Sequence, residues 1–365
     1  MKVPHMIPLI GEEEYVQIKD CLDSKWLSEG TKADQFLRIF KKLTGAKYAV
    51  LAPNGTLALY MALKAVGVGE GDYVMVPDST FMGSATAVVL AGATPVFVDV
   101  NLDSWQLDFV ACKSLKYDHS IRAIMPVHLC GHSVDMPTFM EMMGGYAPVI
   151  IEDACQTVGV TFAGKHTGTF GKVGAFSFYS DKSFTMGEGG AVITDDPEVY
   201  AKLRYLRCLG RLSKGSYVHV ENGFNFYITD LQAAIGIAQL ERINKIKSRK
   251  MVLYQHYRAN LLDLAAAEKI HFPVIPKESS LIPFRMFIRT EALADDLIKY
   301  LASKEIGARG FYYPLHRQPC FSHLMDSRKF PNADLLYHHA LLLPLYPDLT
   351  EEQVDYVCAA LKEYF

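Results

Sequence analysis

The sequence predicts an α/β protein with a mostly parallel β-sheet covered by helices, followed by a smaller C-terminal α/β domain. Nearly continuous apolar runs alternate with helical patterns through the first two-thirds of the chain, as in strands that are buried on both faces. Beyond about residue 250 the pattern changes to short strands and amphipathic helices. A chain of 365 residues also fits about two domains. We therefore predict a large domain over residues 1–249 and a small domain over residues 250–365.

Five strands of the large domain are predicted where apolar runs stop at a proline, a glycine or a polar turn. They cover Tyr48–Ala52, Tyr73–Pro77, Thr94–Val98 and residues 122–127 and 148–153. Helical patterns lie between them, including a nearly all-apolar helix over residues 57–66 that ends at Gly67 and another over residues 138–143. This alternation of strands and helices is the basis for the parallel sheet.

A long buried helix is predicted after a capping box at residues 229–232. Residues 233–243 are apolar almost all round, which indicates burial, in part at a subunit contact. The basic run at residues 241–250 follows and is predicted to be the solvated face of a connecting helix. The domain boundary is placed at the end of this run.

The small domain contains a predicted strand at residues 286–289 and a second capping box at residues 350–353. Apolar residues after the box recur at helical spacing, at Val354, Val357, Leu361 and Phe365. They predict a C-terminal helix with one buried face.

Composition narrows the class of protein. The net charge of −3 gives no electrostatic reason to expect nucleic acid or an anionic membrane as a partner. No stretch reaches about 18 consecutive apolar residues, and residues 1–5 lack the pattern of a secretory signal. The seven cysteines are scattered without a C-x-x-C pair, which argues against a disulfide framework or a metal site. We expect a cytoplasmic protein.

Lys182 is the most informative residue for chemistry. It follows the apolar run Phe176-Ser177-Phe178 and precedes a glycine-rich turn at residues 187–190, while Asp153 ends an earlier apolar strand. A pyridoxal phosphate enzyme needs such a pair, because a lysine forms the Schiff base and a carboxylate keeps the ring nitrogen protonated. The alternatives are a solvated loop lysine and a carboxylate that caps the following helix.

Three further positions fit the same cofactor. Gly55 and Thr56 stand where a strand gives way to a helix, so unsatisfied backbone N–H groups there can hold a phosphate. Phe81 follows a strand at its carboxyl end and could stack on a planar ring. Read alone, the first segment is also an ordinary capped turn, and Phe81 is also a core phenylalanine.

Taken together, the motifs resemble one family. Residues 54–56, 80–81, 91–99, 127–132, 151–156, 176–182, 187–190 and 230–236 resemble, in this order, motifs of the DegT/StrS-type sugar aminotransferases. These are pyridoxal phosphate enzymes of fold type I that aminate keto sugars on nucleotides. The resemblance runs from about residue 7 to the C-terminus, where residues 312–316 and 343–350 also match.

The resemblance implies a role for each cofactor residue. Lys182 would form the Schiff base, Asp153 would pair with the ring nitrogen, and Gln156 would donate to the phenolic oxygen. Phe81 would stack on the ring. The residues that would hold the phosphate are Gly55, Thr56 and Ser177.

The resemblance also implies an assembly and a substrate pocket. Asn225 matches the family asparagine that reaches the phosphate from the neighbouring subunit, which implies a homodimer with shared active sites. Trp26 and His316 match positions near the sugar pocket.

The implied reaction moves an amino group to the keto sugar of a nucleotide-linked deoxysugar. The amino donor that the family resemblance implies is L-glutamate. Residues 21–28 and 127–136 are most similar to perosamine synthase-like members, which aminate C4 of GDP-4-keto-6-deoxymannose. Two departures from the family pattern occur. Tyr227 replaces an arginine, which would leave the active site without that cation, and Gly310 replaces the proline of an Arg-Pro-Phe run.

Two other functions stay open at this point. One is a pyridoxal phosphate-dependent sugar dehydratase of the same family, whose members carry histidine at the lysine position, so that Lys182 argues against it. The other is a catalytically silent regulatory homologue, against which the intact Lys182, Asp153 and Ser177 argue.

Overall fold

The computed structural model describes residues 1–115, 121–144, 148–211, 215–324 and 327–365. Its helices are α1 (Glu12–Ser24), α2 (Thr31–Thr44), α3 (Gly55–Ala65), α4 (Gly83–Leu90), α5 (Phe109–Leu115), α6 (Met136–Met143), α7 (Pro197–Arg207), α8 (Asp230–Glu241), α9 (Ile243–Asn260), α10 (Leu262–Ala266), α11 (Ala294–Ser303), α12 (Pro331–His339) and α13 (Glu351–Tyr364). None of the helices in these ranges is long and apolar enough to cross a membrane.

The strands form two main sheets. They are β1 (Tyr48–Ala52), β2 (Tyr73–Pro77), β3 (Thr94–Val98), β4 (Ile121–Ile124), β5 (Val149–Asp153), β6 (Thr161–Phe162), β7 (Lys165–His166), β8 (Val173–Ser177), β9 (Gly190–Thr194), β10 (Ile270–His271), β11 (Met286–Thr290), β12 (Arg309–Gly310) and β13 (Ala340–Leu343). Within the described residues, the larger sheet has the order β1-β9-β8-β5-β4-β2-β3, and the smaller has the order β10-β11-β13-β12.

The larger sheet is mostly parallel. Strands β3, β2, β4, β5 and β8 pair in parallel, whereas β9 runs antiparallel to both β8 and β1. Successive residues of β1 point to opposite faces, since Val50 and Ala52 join one apolar cluster and Ala49 and Leu51 join another. Both faces are therefore covered, and the predicted α/β class is confirmed.

Most of the predicted strands have the expected bounds. Strands β1, β2 and β3 begin and end where the apolar runs do. The prediction for β4 is wrong at its end: the strand stops at Ile124, and Pro126 has no N–H with which to extend the pairing. Val127 forms only an isolated bridge to Asp153.

The smaller sheet is antiparallel throughout. The C-terminal helix α13 begins with the predicted capping box, in which the Thr350 hydroxyl accepts the N–H of Gln353, and it buries Val354, Val357 and Leu361. The predicted domain boundary after residue 249 falls inside α9 and stays a prediction.

Helix α8 is buried by helices of the same chain. Its capping box forms as predicted, and its apolar residues are covered by α1 and α2. The burial of this helix therefore needs no second subunit. The carboxylate of Asp230, at its first turn, also caps α2: it accepts the N–H groups of Gly30, Lys32 and Ala33 at 2.8, 3.2 and 3.0 Å.

Candidate active site

A cavity of about 760 Å³ lies at the carboxyl ends of the parallel strands, between the two sheets. Asp153 at the end of β5 and Ser177 at the end of β8 form part of one wall, together with the first turn of α3. Phe284, Arg309 and Tyr312 form part of the opposite wall. Ligands of open α/β sheets bind at this edge because the strand ends and helix N-termini converge there.

The first turn of α3 is suited to a phosphate. The Asn54 side chain accepts the N–H of Leu57 at 2.9 Å, and the N–H groups of Gly55 and Thr56 precede it at the first two helical positions. Gly55 is required because an added Cβ would lie 2.7 Å from the Cβ of Ser177. The helix N-terminus with the hydroxyls of Thr56 and Ser177 can thus bind an anion without a basic side chain.

Asp153 is a buried carboxylate at the floor of the cavity, with 5% of its surface exposed. It accepts the hydroxyl of Ser84 at 2.8 Å and the N–H of Cys155 at 3.1 Å. Among the described residues, no lysine, arginine or histidine forms an ion pair with it. Because a buried carboxylate is costly without a cation, the protonated ring nitrogen of pyridoxal phosphate is a fitting partner.

Lys182 also lines the cavity, in the turn that joins β8 to β9. It is half-buried rather than fully solvated, and its Nζ lies 5.0 Å from the centroid of the Phe284 ring. The structure therefore brings Lys182, Asp153 and the first turn of α3 to one cavity, as the resemblance implies.

Phe81 is 60% exposed at the edge of the cavity, so the alternative of a core phenylalanine is wrong. Gly83 follows it, and a Cβ there would lie 3.1 Å from the Phe81 ring and 2.7 Å from the hydroxyl of Thr56. An open aromatic face beside the anion-binding turn fits a planar ring that carries a phosphate.

Gln156 has a fixed amide orientation. Its Oε1 accepts the N–H of Cys130 at 3.1 Å, and its Nε2 donates to the Tyr312 hydroxyl at 2.8 Å. The amide nitrogen has a second N–H, which is available to a ring oxygen. Burial raises the pKa of Tyr312, so this hydroxyl stays protonated.

Three implied residues do not line the cavity of one chain. Asn225 is exposed and forms an isolated bridge with Cys208. Trp26 is 52% exposed and lies against Gly30. His316 bonds through its Nδ1 to Asp78 at 2.6 Å and stacks on Phe330. A single chain therefore leaves these three residues outside the site that the other residues form.

The cavity carries other cations, although Tyr227 replaces the arginine of the family pattern. Arg285 and Arg309 both line the cavity, and Arg285 is nearly fully buried. Burial lowers the pKa of Arg285 to about 10, which still leaves it charged at neutral pH. His5 lies beside them, and burial with the charge of Arg285 lowers its pKa to about 3, so it is neutral.

Sequence reasoning missed Ser84, Arg285 and the contact of Tyr312 with Gln156. Ser84 bonds to Asp153 across 69 positions, and Tyr312 bonds to Gln156 across 156 positions. No local spacing encodes these contacts. The only local signal is the location of Ser84 at the start of α4, close after the end of β2.

Comparison with known proteins places the chain in a family. The model of the DegT/DnrJ/EryC1/StrS aminotransferase family matches residues 8–362. The chain belongs to this family. It is 35% identical to the GDP-perosamine synthase of Escherichia coli O157:H7 over 100% of this chain and 98% of the relative. It is 33% identical to the GDP-perosamine synthase of Vibrio cholerae over 100% and 99% of the two chains.

A solved structure supports the same conclusion. The Streptococcus pneumoniae protein Spr1654 in its PLP form shares 25% identity and superposes with a TM-score of 0.92, over 100% of this chain and 98% of the other. The protein is thus a pyridoxal phosphate-dependent sugar aminotransferase, and the predicted fold, enzyme class and cofactor are confirmed. A sugar substrate and an amino donor follow from this class.

Proposed function

We propose that this protein transfers the amino group of L-glutamate to C4 of the sugar in GDP-4-keto-6-deoxymannose. The chemistry rests on one observation: Lys182 and Asp153 line the same cavity. Among the described residues, no lysine, arginine or histidine forms an ion pair with the Asp153 carboxylate, which accepts the Ser84 hydroxyl. The similarity to two GDP-perosamine synthases over the whole chain supports the sugar. The positive charge of Arg285 and Arg309 on the cavity wall suits a ligand with carboxylate or diphosphate groups.

The residues of the cavity are assigned to parts of pyridoxal phosphate, which supplies an electron sink when it is bound. Lys182 would hold its aldehyde carbon, and Asp153 would keep its ring nitrogen protonated. Gln156 would donate to its phenolic oxygen, and Phe81 would stack on its ring. The phosphate is assigned to Gly55, Thr56 and Ser177.

Lys182 is also the base of the reaction. Once the amino donor displaces it, the freed Nζ would take the proton from the donor carbon that carries the amino group and pass it to the cofactor. In the second half of the reaction it would take this proton back and give it to the sugar carbon. Ser84 holds the Asp153 carboxylate in place through its hydroxyl, and Gly55 allows the close approach of Ser177. Tyr312 orients the Gln156 amide.

The active form is proposed to be a homodimer in which the partner subunit's Asn225 completes the phosphate site. Asn225 is exposed in one chain, and the same segment carries large exposed apolar side chains. These are Tyr217, Val218, Val220 and Phe224, at 88, 60, 47 and 45% exposure. A cluster of this kind is typical of a surface that another protein covers. In this homodimer, Trp26 and His316 are proposed to lie near the sugar pocket.

The first experiment locates the bonding lysine. Borohydride reduction of the loaded protein followed by peptide mapping should place the pyridoxyl mass on Lys182. Label on another lysine would overturn the assignment.

The second experiment identifies the substrate. The protein is incubated with L-glutamate and a panel of nucleotide-linked keto sugars, and the products are read by mass spectrometry. We expect an amino sugar and 2-oxoglutarate with GDP-4-keto-6-deoxymannose. Loss of a sugar hydroxyl without amination would identify a dehydratase instead, and amination of a different keto sugar would refute the assigned substrate.

A further inference from the structure

Lys250 is buried beside the turn that carries Lys182. It lies on α9 at the end of the basic run that was predicted to be solvated, and only 1% of its surface is exposed. Its Nζ donates to the Ser183 hydroxyl at 3.0 Å and to the Phe284 carbonyl at 3.3 Å. The prediction of a solvated basic face is therefore wrong at Lys250.

The surroundings of Lys250 favour the neutral amine. Burial and the charge of Arg285 lower the pKa of Lys250 well below its usual value, against the opposing charge of Asp181. In the described part of the chain, no carboxylate forms an ion pair with Lys250. A neutral amine has two N–H donors, and the hydroxyl of Ser183 and the carbonyl of Phe284 account for both.

Arg285 makes a parallel set of bonds. It donates to the same Phe284 carbonyl at 2.7 Å and to the carbonyl of Asp181 at 2.9 Å. The two neighbours of Lys182, Asp181 and Ser183, are thus each held by a buried basic side chain. Both basic side chains also bond to the Phe284 carbonyl, and the ring of Phe284 lies 5.0 Å from the Nζ of Lys182.

The space beside Lys250 is small. It is lined in part by Leu9 and Tyr346 and has a volume of about 10 Å³. This is at or below the volume that a single water molecule needs. The amine therefore bonds to the Ser183 hydroxyl and the Phe284 carbonyl directly, and its removal takes both bonds from the turn and its neighbour.

We propose that Lys250 is a positioning residue for Lys182: by bonding to Ser183 and to the Phe284 carbonyl, it holds the turn so that the Lys182 amine meets the cofactor aldehyde. The inference rests on the proposed role of Lys182. Lys250 acts through the Ser183 side chain and the Phe284 carbonyl, and it is assigned no contact with the substrate or the cofactor.

A role of Lys250 through its position and a role through its charge predict different effects on the rate of cofactor capture and on its pH midpoint. Several titratable or charged groups face Lys182 or its turn across the cavity, namely His5, Asp153, Cys155, Tyr179, Asp181, Glu188, Arg285, Arg309 and Tyr312. A Lys250→Met substitution keeps all of them. A residue that acts through position alone should, when removed, slow the reaction of Lys182 with the aldehyde and leave the pH midpoint of that reaction unchanged, whereas a role through charge would shift the midpoint.

The test follows the capture of pyridoxal phosphate by the cofactor-free protein, measured by rapid-mixing absorbance over a range of pH. Ser183→Ala should slow capture about tenfold, the effect of one lost hydrogen bond, and Lys250→Met at least as much, because it also loses the bond to the Phe284 carbonyl. The double variant should be no slower than Lys250→Met, because both changes remove the same bond. Leu253→Ala, a buried change on the same helix away from Ser183, should leave the rate unchanged.

Several results would overturn the proposal. They are a wild-type rate in Lys250→Met, additive slowing of the double variant to about tenfold below Lys250→Met, equal slowing in Leu253→Ala, and a shifted pH midpoint. If Lys250→Met does not fold, Ser183→Ala removes the same bond from the other end, and a wild-type rate there refutes the proposal.

Peptide mapping distinguishes a failure of the role proposed for Lys182 from a failure of the role proposed for Lys250. Pyridoxyl label on a lysine other than Lys182 in the wild-type protein would refute the proposed function of Lys182. Label on Lys182 together with an unaltered capture rate in the variants would refute only the role of Lys250.

Discussion

The guanidinium of Arg207 lies over the ring of Tyr227, with its central carbon 4.8 Å from the ring centroid. Arg207 also binds both carboxylate oxygens of Glu29, and its Nε donates to the carbonyl of Leu51 at 3.0 Å. The position where the family pattern has an arginine thus carries a ring that packs under an arginine from α7. The positive charge is retained nearby although the side chain differs.

Arg207 should stabilise the fold through these contacts. In Arg207→Met, Glu29 loses its ion pair in a partly buried site, so the free energy of unfolding should fall by about 1–3 kcal/mol. Denaturant unfolding at constant protein concentration measures the change. Tyr227→Phe keeps the ring and should stay within about 0.5 kcal/mol of wild type. An Arg207→Met variant as stable as wild type would show that the ion pair contributes nothing.

Asp153 should act through its charge. Asp153→Asn keeps one oxygen for the N–H of Cys155, and its new amide N–H can donate to the Ser84 hydroxyl, but a neutral amide cannot hold the ring nitrogen protonated. We expect a folded variant that binds cofactor and loses transamination by on the order of 10²-fold. Circular dichroism and the visible absorbance of the bound cofactor serve as controls. Near-wild-type turnover would contradict the pairing with the ring nitrogen.

Gly55 should be required for cofactor binding. In Gly55→Ala the new Cβ would lie 2.7 Å from the Cβ of Ser177, so one side of the phosphate site must move. We expect the affinity for pyridoxal phosphate to fall ~10- to 100-fold, the cost of an overpacked contact. Gly69→Ala is the matched control, because its Cβ would meet only the end of Lys64 at 3.7 Å. Equal affinities in the two variants would contradict the tight contact.

The shared active site should be visible by complementation. Lys182→Ala and Asn225→Ala chains are each expected to be inactive or weak alone. In a heterodimer, a shared arrangement collects both lesions in one site and leaves the other intact, so activity should return. The measurement is transamination by the purified, differently tagged heterodimer. Heterodimers that form without any regain of activity would show that each site belongs to one chain.

Stability should depend on pH through two buried histidines. Burial lowers the pKa of His132 and of His166 to about 4. The unfolded chain therefore binds more protons between about pH 4 and 6.5, and the free energy of unfolding should rise with pH across this window, by up to ~1.4 kcal/mol per unit for each histidine. Denaturant unfolding at several pH values measures the slope. His166→Gln should flatten it, and an equal slope in that variant would exclude His166 as a source.

The strands and the residues that line the cavity were the parts most open to prediction from sequence. Strands β1, β2 and β3 are marked by apolar runs of five residues with clear ends, and Lys182 and Asp153 stand at or near strand ends where such residues serve chemistry. The end of β4 is not marked by its apolar run, because Pro126 lies within that run and has no N–H for the pairing.

Contacts between distant residues were not open to prediction. The burial of Lys250 depends on the Phe284 carbonyl, 34 positions away, so its basic neighbours alone suggested a solvated helix face. In the same way, the apolar surface of α8 predicted burial, but it did not show that α1 and α2 provide most of the cover, and the expected subunit contact stays a prediction. Periodicity reports which face is apolar, and it does not report which element covers that face.

The cap that Asp230 provides to α2 has a consequence for biosynthesis. The N–H of Gly30 and the carboxylate that accepts it are separated by 200 positions, and α1 and α2 pack mainly on α8. At ribosomal speeds of about 5–20 residues per second, the first two helices wait roughly 10–40 s for that partner to be synthesised. During this interval their apolar faces lack that cover and are open to chaperones.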